Sequence, residues 1–96
     1  MREYEAMLLI RPNMEEEAFQ GVVDKFVNLI TQQGGEIVKA DKWGKRRLQY
    51  EIKKLKEAFY VLITFKGEPA VAHELDRVMR ISDDIVRFLV IRKDEK

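Results

Sequence analysis

The sequence contains no cysteine and only one histidine, His73, among its 96 residues. The absence of cysteine excludes disulfide bonds, thiolate metal sites and cysteine nucleophiles, and a single histidine argues against the common zinc and serine-triad sites. We expect His73 to be an exposed residue without a catalytic role. Most familiar enzyme chemistries are therefore disfavoured, and neither a metal nor a cofactor is expected.

Long apolar runs are also missing from the chain. No stretch approaches the roughly 18 consecutive apolar residues that suggest a membrane span. The opening Met-Arg-Glu-Tyr-Glu lacks the charged and then apolar layout of a signal peptide. Hydrophobic residues make up 46% of the chain, which is enough for the core of one compact unit of this length. We expect a single domain over residues 1–96, located in the cytoplasm.

Net charge is nearly absent, at +1, yet the positive charge is concentrated in one place. Residues 39–56, called the basic segment below, hold eight basic and two acidic residues, a net charge of +6 that leaves −5 for the rest of the chain. Four large apolar side chains are interspersed among these charges: Trp43, Leu48, Tyr50 and Ile52. This composition is typical of a surface that lies on phosphates and also packs against an apolar group.

The first third of the chain predicts a strand followed by a helix. Residues 4–10 are mostly apolar, as in a buried strand, and the Arg-Pro-Asn sequence at residues 11–13 ends that strand with turn chemistry. Asn13 is the predicted N-cap, with Glu16 three positions later as in a capping box. Apolar residues then recur at helical spacing, which predicts a helix over residues 14–33.

The middle of the chain predicts extended structure on both sides of the basic segment. Gly34 and Gly35 are predicted to end the helix in a left-handed conformation, before a second strand over residues 36–41. Residues 47–53 alternate apolar and polar side chains, so they are predicted to be extended with one apolar face. The aromatic and β-branched run at residues 59–65 predicts the third strand.

The last third predicts a second helix and a fourth strand. Pro69 stands at a suitable first helical position, and an apolar stripe continues to about Arg80. A Ser-Asp-Asp turn then precedes a strand over residues 85–91. The charged tail, residues 93–96, is expected to fray rather than to carry a function.

The predicted element order is β-α-β-β-α-β. With right-handed crossovers, this order places two helices on one face of a four-stranded antiparallel sheet, which is the ferredoxin-like, split β-α-β arrangement of the α+β class. The other face of the sheet is predicted to remain open.

Residues 44–53 resemble the signature of the bacterial small-subunit ribosomal protein six family. They read Gly-Lys-Arg-Arg-Leu-Gln-Tyr-Glu-Ile-Lys, where that family has Gly-x-Arg-Arg-Leu-Ala-Tyr-x-Ile-Lys. The opening Tyr4-Glu5, the turn at residues 11–13 and the Arg-Ile-Ser-Asp-Asp-Ile-Val-Arg sequence at residues 80–87 are also similar to that family. The resemblance therefore extends over essentially the whole chain.

The chain departs from the family signature at two positions, Gln49, where a small residue is usual, and Glu51, where proline is common. The resemblance implies a non-catalytic protein of the small ribosomal subunit. It also implies binding to small-subunit ribosomal RNA together with small-subunit ribosomal protein eighteen, with which it forms a heterodimer. Composition and spacing alone lead only to a split β-α-β domain with a basic, partly aromatic patch.

Nine basic residues are candidates for RNA contact. They are Lys45, Arg46, Arg47, Lys53, Lys54, Lys56, Arg2, Arg87 and Arg92. The three consecutive cations at 45–47 repel one another and add little to folding, and phosphates relieve that repulsion, although a solvated charged loop has the same composition. The lysines at 53, 54 and 56 could equally serve to prevent an edge strand from pairing with another chain. The arginines at 2, 87 and 92 lie on adjoining strands, but isolated strand arginines commonly form surface ion pairs.

Four residues are candidates for contact with a protein partner: Trp43, Leu48, Tyr50 and Ile52. Trp43 could stack on a base, anchor a protein partner or cover the hydrophobic core. Partner contact is preferred because a tryptophan among so many charged residues is hard to bury. Tyr50 equally suits core packing, since it shares the apolar side of its extended segment. The glutamates at 15–17 are explained by the helix dipole, so they are not expected to bind a metal.

Three functional classes are compatible with these residues. The preferred one is a structural RNA-binding protein that docks a partner on its open sheet face or edge. The first alternative is a single-strand RNA reader of the RRM type outside the ribosome, which stacks bases on aromatic residues of strands one and three. The second is a small enzyme or ligand-binding domain on the same fold, for which the sequence offers no glycine-rich anion loop, metal cluster or activated nucleophile.

Overall fold

A computed structural model describes residues 1–93 and confirms the predicted element order. The elements are β1 (Arg2–Ile10), α1 (Glu16–Gln32), β2 (Glu36–Ile52), β3 (Leu55–Gly67), α2 (Pro69–Arg80) and β4 (Ile85–Arg92). The expectation for the charged tail concerns residues that, beyond Lys93, lie outside the described part of the chain. Within residues 1–93, neither helix is long and apolar enough to cross a membrane.

The four strands form one antiparallel sheet in the order β2-β3-β1-β4. Even-numbered residues of β1 from Tyr4 to Ile10 are buried among apolar residues of both helices, so α1 and α2 cover the same sheet face. The odd-numbered residues point to the opposite face because side chains alternate along a strand. The ferredoxin-like fold and the open second face are therefore confirmed.

The predicted capping box at the start of α1 is wrong. The helix begins at Glu16, and its N-cap residue is Glu15, whose side chain makes no capping hydrogen bond. The side-chain oxygen of Asn13 instead accepts a hydrogen bond from Arg11 at 3.2 Å. Arg11 also pairs with Asp84 at 2.9 Å. This arginine therefore joins the loop before α1 to the start of β4 and uses the oxygen that capping would need.

Only one of the two glycines after α1 has the predicted left-handed conformation. Gly34 has φ +90°, whereas Gly35 does not have a positive φ. A Cβ at Gly35 would lie 2.8 Å from Ile30 Cγ2 and 3.0 Å from the Ile30 carbonyl oxygen. Gly34 therefore reverses the chain, and Gly35 lets β2 begin in close contact with the end of α1.

The prediction that the basic segment connects two short strands is wrong. β2 has 17 residues and β3 has 13, and together they form a long hairpin that contains the whole segment. Backbone pairing to β3 keeps this charged strand extended, although most of its side chains are exposed. The predicted extension of residues 47–53 is confirmed as far as Ile52, and α2 begins at Pro69 as predicted.

Candidate nucleic-acid interface

The end of the β2–β3 hairpin has an irregular register that decides where its side chains point. Arg47 pairs with Glu57, and the next pair is Ile52 with Leu55. Residues 48–51 of β2 therefore lie opposite the single residue Lys56 of β3, so the strand bulges and the strict alternation of faces is lost. The bulge separates Leu48, which is buried, from Tyr50, which is exposed.

Three of the predicted RNA-contact residues line one cleft at this end of the hairpin. Arg47, Lys54 and Lys56 surround an open cleft of about 570 Å³. Its remaining walls are formed by Pro12, Leu55 and Glu57. None of the three cations forms an ion pair with a carboxylate of residues 1–93. Three cations share the cleft with one carboxylate, Glu57, so the cleft carries a net positive charge.

Arg46 and Lys45 precede Arg47 on β2 and lie on opposite faces of the sheet. Arg46 is exposed on the open face opposite Ala58, and its Nε donates a hydrogen bond to the Trp43 carbonyl at 3.2 Å. Lys45 lies on the helix side, with its Nζ 5.3 Å from the centre of the Phe59 ring and 3.9 Å from Glu57. Lys45 is therefore partly engaged within the fold, whereas the guanidinium of Arg46 retains donors for a ligand.

The structure brings Arg87, but not Arg2 or Arg92, to the end of the sheet that holds the hairpin tip. Arg87 pairs with Leu9 near the end of β1, and it lines a groove together with Lys53. Arg2 pairs with Gly67 and Arg92 with Tyr4, both at the opposite end. At roughly 3.4 Å per residue, Arg2 lies about 24 Å along β1 from Leu9. The basic surface is therefore not continuous across the sheet.

Trp43 does not belong to the core. Its side chain is 43% exposed and stacks on Tyr60 with a ring-centre distance of 6.4 Å and an angle of 4° between the planes. Tyr60 faces the open side of the sheet beside Leu9. Core covering is thus excluded for Trp43, and an aromatic pair lies on the open face next to Arg46.

The open face contains a second apolar cluster, centred on Leu9, Leu48 and Ala58. Ile52 packs against it, so two of the predicted partner residues share this face. Tyr50 is 76% exposed, so the core packing considered for it is wrong. Beside the cluster lies a mainly apolar groove of about 390 Å³, lined in part by Leu48, Tyr50 and Ile52.

Further groove residues were missed by the sequence analysis. Met7 and Leu9 of β1, Tyr60 of β3 and Leu89 of β4 also line the groove, and Leu89 is 59% exposed. The sequence does indicate the two residues of β1, because apolar residues occupy odd as well as even positions near the end of that strand. Such a strand is apolar on both faces, which indicates that the second face of the sheet is also buried against another group.

The open face does not suit base stacking of the RRM type. Tyr4, the aromatic residue of β1, faces the helices and stacks on Phe65 at 5.3 Å. Within residues 1–93, the outward positions of β1 hold Glu3, Glu5, Met7 and Leu9, with no aromatic ring among them. The aromatic surface on which an RRM domain stacks bases, formed by its first and third strands, is therefore incomplete in this fold.

The remaining electrostatic features lie away from the hairpin. On α2, Arg77 donates two hydrogen bonds of 2.8 Å to Glu74, and this bonding lowers the pKa of the carboxyl from its ordinary value of 4.5. His73 is exposed on the same helix. No group of three or more potential metal ligands is assembled within residues 1–93.

Comparison with known proteins places this geometry in a family. The family model described as "Ribosomal protein S6" matches residues 3–92. The chain belongs to the ribosomal protein S6 family. It is 78% identical over 96 residues to the small ribosomal subunit protein bS6 of Heliobacterium modesticaldum, with 100% of both chains covered. It is 53% identical to the bS6 of Moorella thermoacetica, with 100% of this chain and 98% of that relative covered.

A solved structure agrees with the family assignment. The crystal structure of 30S ribosomal protein S6 from Thermotoga maritima matches with a TM-score of 0.92 and 33% sequence identity. The match covers 96% of this chain and 87% of that one. The resemblance noted at residues 44–53 is therefore confirmed as membership of the S6 family, and the hairpin is the element that contains its signature.

Proposed function

We propose that this member of the ribosomal protein S6 family is a non-catalytic, structural component of the bacterial small ribosomal subunit. It binds small-subunit ribosomal RNA through the cations at the β2–β3 hairpin end, together with small-subunit ribosomal protein eighteen. The observation that supports this most directly is that an excess of cations and an uncovered apolar groove meet at the same hairpin.

RNA is the ligand that suits the cationic side. Arg47, Lys54 and Lys56 share one cleft without carboxylate partners among residues 1–93. Arg46 is exposed on the other face of the same strand. Phosphates neutralise such a group and release counterions, which stabilises the complex in a salt-dependent way. The hairpin thus presents positive charge on both of its faces, as an element inserted between RNA segments would.

A protein partner suits the open sheet face. Leu48, Ile52 and Leu89 offer apolar surface beside the exposed ring of Tyr50, in a groove of about 390 Å³. Exposed apolar patches of this kind mark protein contacts, whereas RNA contacts require positive charge. We assign this face, with Trp43 at its edge, to protein eighteen.

Filter binding of the full chain to small-subunit ribosomal RNA over a series of salt concentrations tests the RNA assignment. The wild-type affinity is expected to fall steeply, with a slope set by about three to six neutralised phosphates. Arg46→Ala/Arg47→Ala should reduce that slope by roughly 1.5 to 2. The control Lys25→Gln/Lys66→Gln removes two exposed charges outside the hairpin end and should leave the slope unchanged.

The same measurement is repeated with protein eighteen present, because the partner supplies part of the interface in coupled assembly and should raise the affinity. A flat salt response in the wild type would contradict the proposal. So would equal slopes for wild type and the arginine variant.

A further inference from the structure

The turn at the hairpin tip has an unusual composition for its backbone conformation. Lys53 and Lys54 occupy its two central positions, with φ +51° and +67°, between the paired residues Ile52 and Leu55. Two positive φ values in a two-residue hairpin loop define the type I′ turn, which strongly favours asparagine and glycine. Lysine has a Cβ that makes this region costly, so the turn is less stable than its geometry allows.

Contacts within the fold do not account for the two lysines. Both side chains are exposed, and neither forms an ion pair or a side-chain hydrogen bond among residues 1–93. A role in guarding a sheet edge does not require positive φ, because a lysine on the flanking strands would serve equally. Residues in sparsely populated backbone regions concentrate at functional sites.

The turn directs its lysines into two different depressions of the surface. Lys54 lines the cleft with Arg47 and Lys56. Lys53 lines a groove of about 380 Å³ along β4, together with Arg87 and with Arg80, which pairs with Asp76 of the same groove at 2.7 Å. Consecutive φ values in the left-handed region thus give the hairpin tip a cation on each side.

We propose that the Lys53-Lys54 turn is a phosphate clamp, which holds the RNA backbone as the strand passes over the hairpin tip. One phosphate is bound in the cleft by Lys54, Arg47 and Lys56, and another is bound by Lys53 and Arg87 on the β4 side. This inference rests on the proposed function, since it takes ribosomal RNA as the ligand. It adds that the lysines are retained at the tip at the expense of folding stability.

Two variants separate the charge of the turn from its conformation. Lys53→Asn/Lys54→Gly removes both charges and supplies the preferred I′ residues. Lys53→Gln/Lys54→Gln removes the same charges but keeps side chains that are unfavourable at positive φ. Both variants should reduce the salt slope of RNA binding by roughly 1.5 to 2 and weaken binding about 30-fold at 0.1 M salt. Only the asparagine-glycine variant should gain stability, with a melting temperature higher by about 4–8 °C.

Lys25→Gln/Lys66→Gln is the charge-matched control, and Arg46→Ala/Arg47→Ala tests the proposed function separately. Wild-type RNA binding by both turn variants, alongside weakened binding by the arginine variant, would overturn the clamp and leave the proposed function intact. Equal weakening by the control would overturn the clamp, because total charge would then suffice. A lower melting temperature for the asparagine-glycine variant would also overturn it, since the lysines would then serve folding. If no variant changes binding, both proposals fail.

Discussion

Gly21 and Gly35 are the same residue type but have different surroundings in the fold. Gly21 lies within α1, where an added Cβ would meet nothing within 4 Å, whereas at Gly35 it would lie 2.8 Å from Ile30 and 3.1 Å from the Lys66 carbonyl. Gly35→Ala should therefore lower the free energy of unfolding by about 1–3 kcal/mol, because neighbouring backbone must move. Gly21→Ala should raise it by about 0.5–1 kcal/mol by reducing the freedom of the unfolded chain.

Urea unfolding of both variants and the wild type measures these changes. Both variants add the same methyl group, so opposite signs would reflect the different surroundings of the two glycines, one inside a helix and the other in close contact with Ile30. A destabilised Gly21→Ala or an unchanged Gly35→Ala would show that close approach does not govern the α1–β2 junction.

The same contrast between composition and surroundings applies to the candidate partner residues. Alternation of apolar and polar residues predicted that Leu48, Tyr50 and Ile52 share one face, and all three line the groove on the open face. Tyr50 is nevertheless 76% exposed while Leu48 is buried, at the place where β2 has four residues opposite one of β3, and this register shift leaves no mark in the alternation itself. Side-chain chemistry was therefore predictable at this site, but the exposure of the Tyr50 ring was not.

At the scale of the element, α1 starts without the side-chain cap that its sequence predicts. The extended Glu15, with φ −75° and ψ 161°, provides the carbonyl that Phe19 N–H bonds at 3.0 Å, but its long side chain does not cap the helix. Glu15→Asp keeps the charge and places a carboxylate within reach of the free N–H groups of the first turn. The free energy of unfolding should rise by about 0.5–1 kcal/mol.

Glu17→Asp is the control for the new cap, because it makes the same chemical change inside the first turn, where no capping bond can form. Thermal and urea unfolding of both variants gives the comparison. Equal shifts in the two would attribute the effect to charge near the helix dipole and contradict the capping argument.

The bounds of the helices could be predicted from the local sequence pattern, whereas the length of β2 could not. Both helices were predicted within two residues at each end, because their apolar stripes and glycine or proline signals are local. β2 was predicted to be much shorter than it is, because five of the eleven residues after Asp41 are charged and no apolar–polar alternation is present before Leu48. Their extension depends on pairing with β3, a tertiary contact that periodicity within one strand does not contain.

For the whole molecule, element order was sufficient to predict the topology. Two β-α-β units with right-handed crossovers leave few arrangements, and the sheet order β2-β3-β1-β4 is the expected one. The same order predicted that β4 adjoins β1, but not that Arg87 and Arg92 lie toward opposite ends of the sheet. That separation follows from strand direction and register, which place Arg87 opposite Leu9 and Arg92 opposite Tyr4.

The arrangement of the two surfaces predicts that binding of RNA and of protein eighteen can be impaired separately. Tyr50→Ser/Leu89→Ser removes two exposed groove side chains, at 76% and 59% exposure, so the fold should tolerate the change. Affinity for protein eighteen should fall roughly 30-fold, as for loss of anchors at an interface centre, while the salt slope of RNA binding stays at its wild-type value. Arg46→Ala/Arg47→Ala should do the reverse.

Ile81→Ser is the matched control, since Ile81 is 69% exposed at the end of α2 and does not line the groove. Calorimetric titration with protein eighteen and filter binding with RNA are made on the same preparations. We expect the two effects to be separable because the groove side chains that are replaced carry no charge, although Arg87 lines both the apolar groove and the groove along β4. A groove variant that lowers the salt slope as much as the arginine variant would mean that one surface serves both ligands.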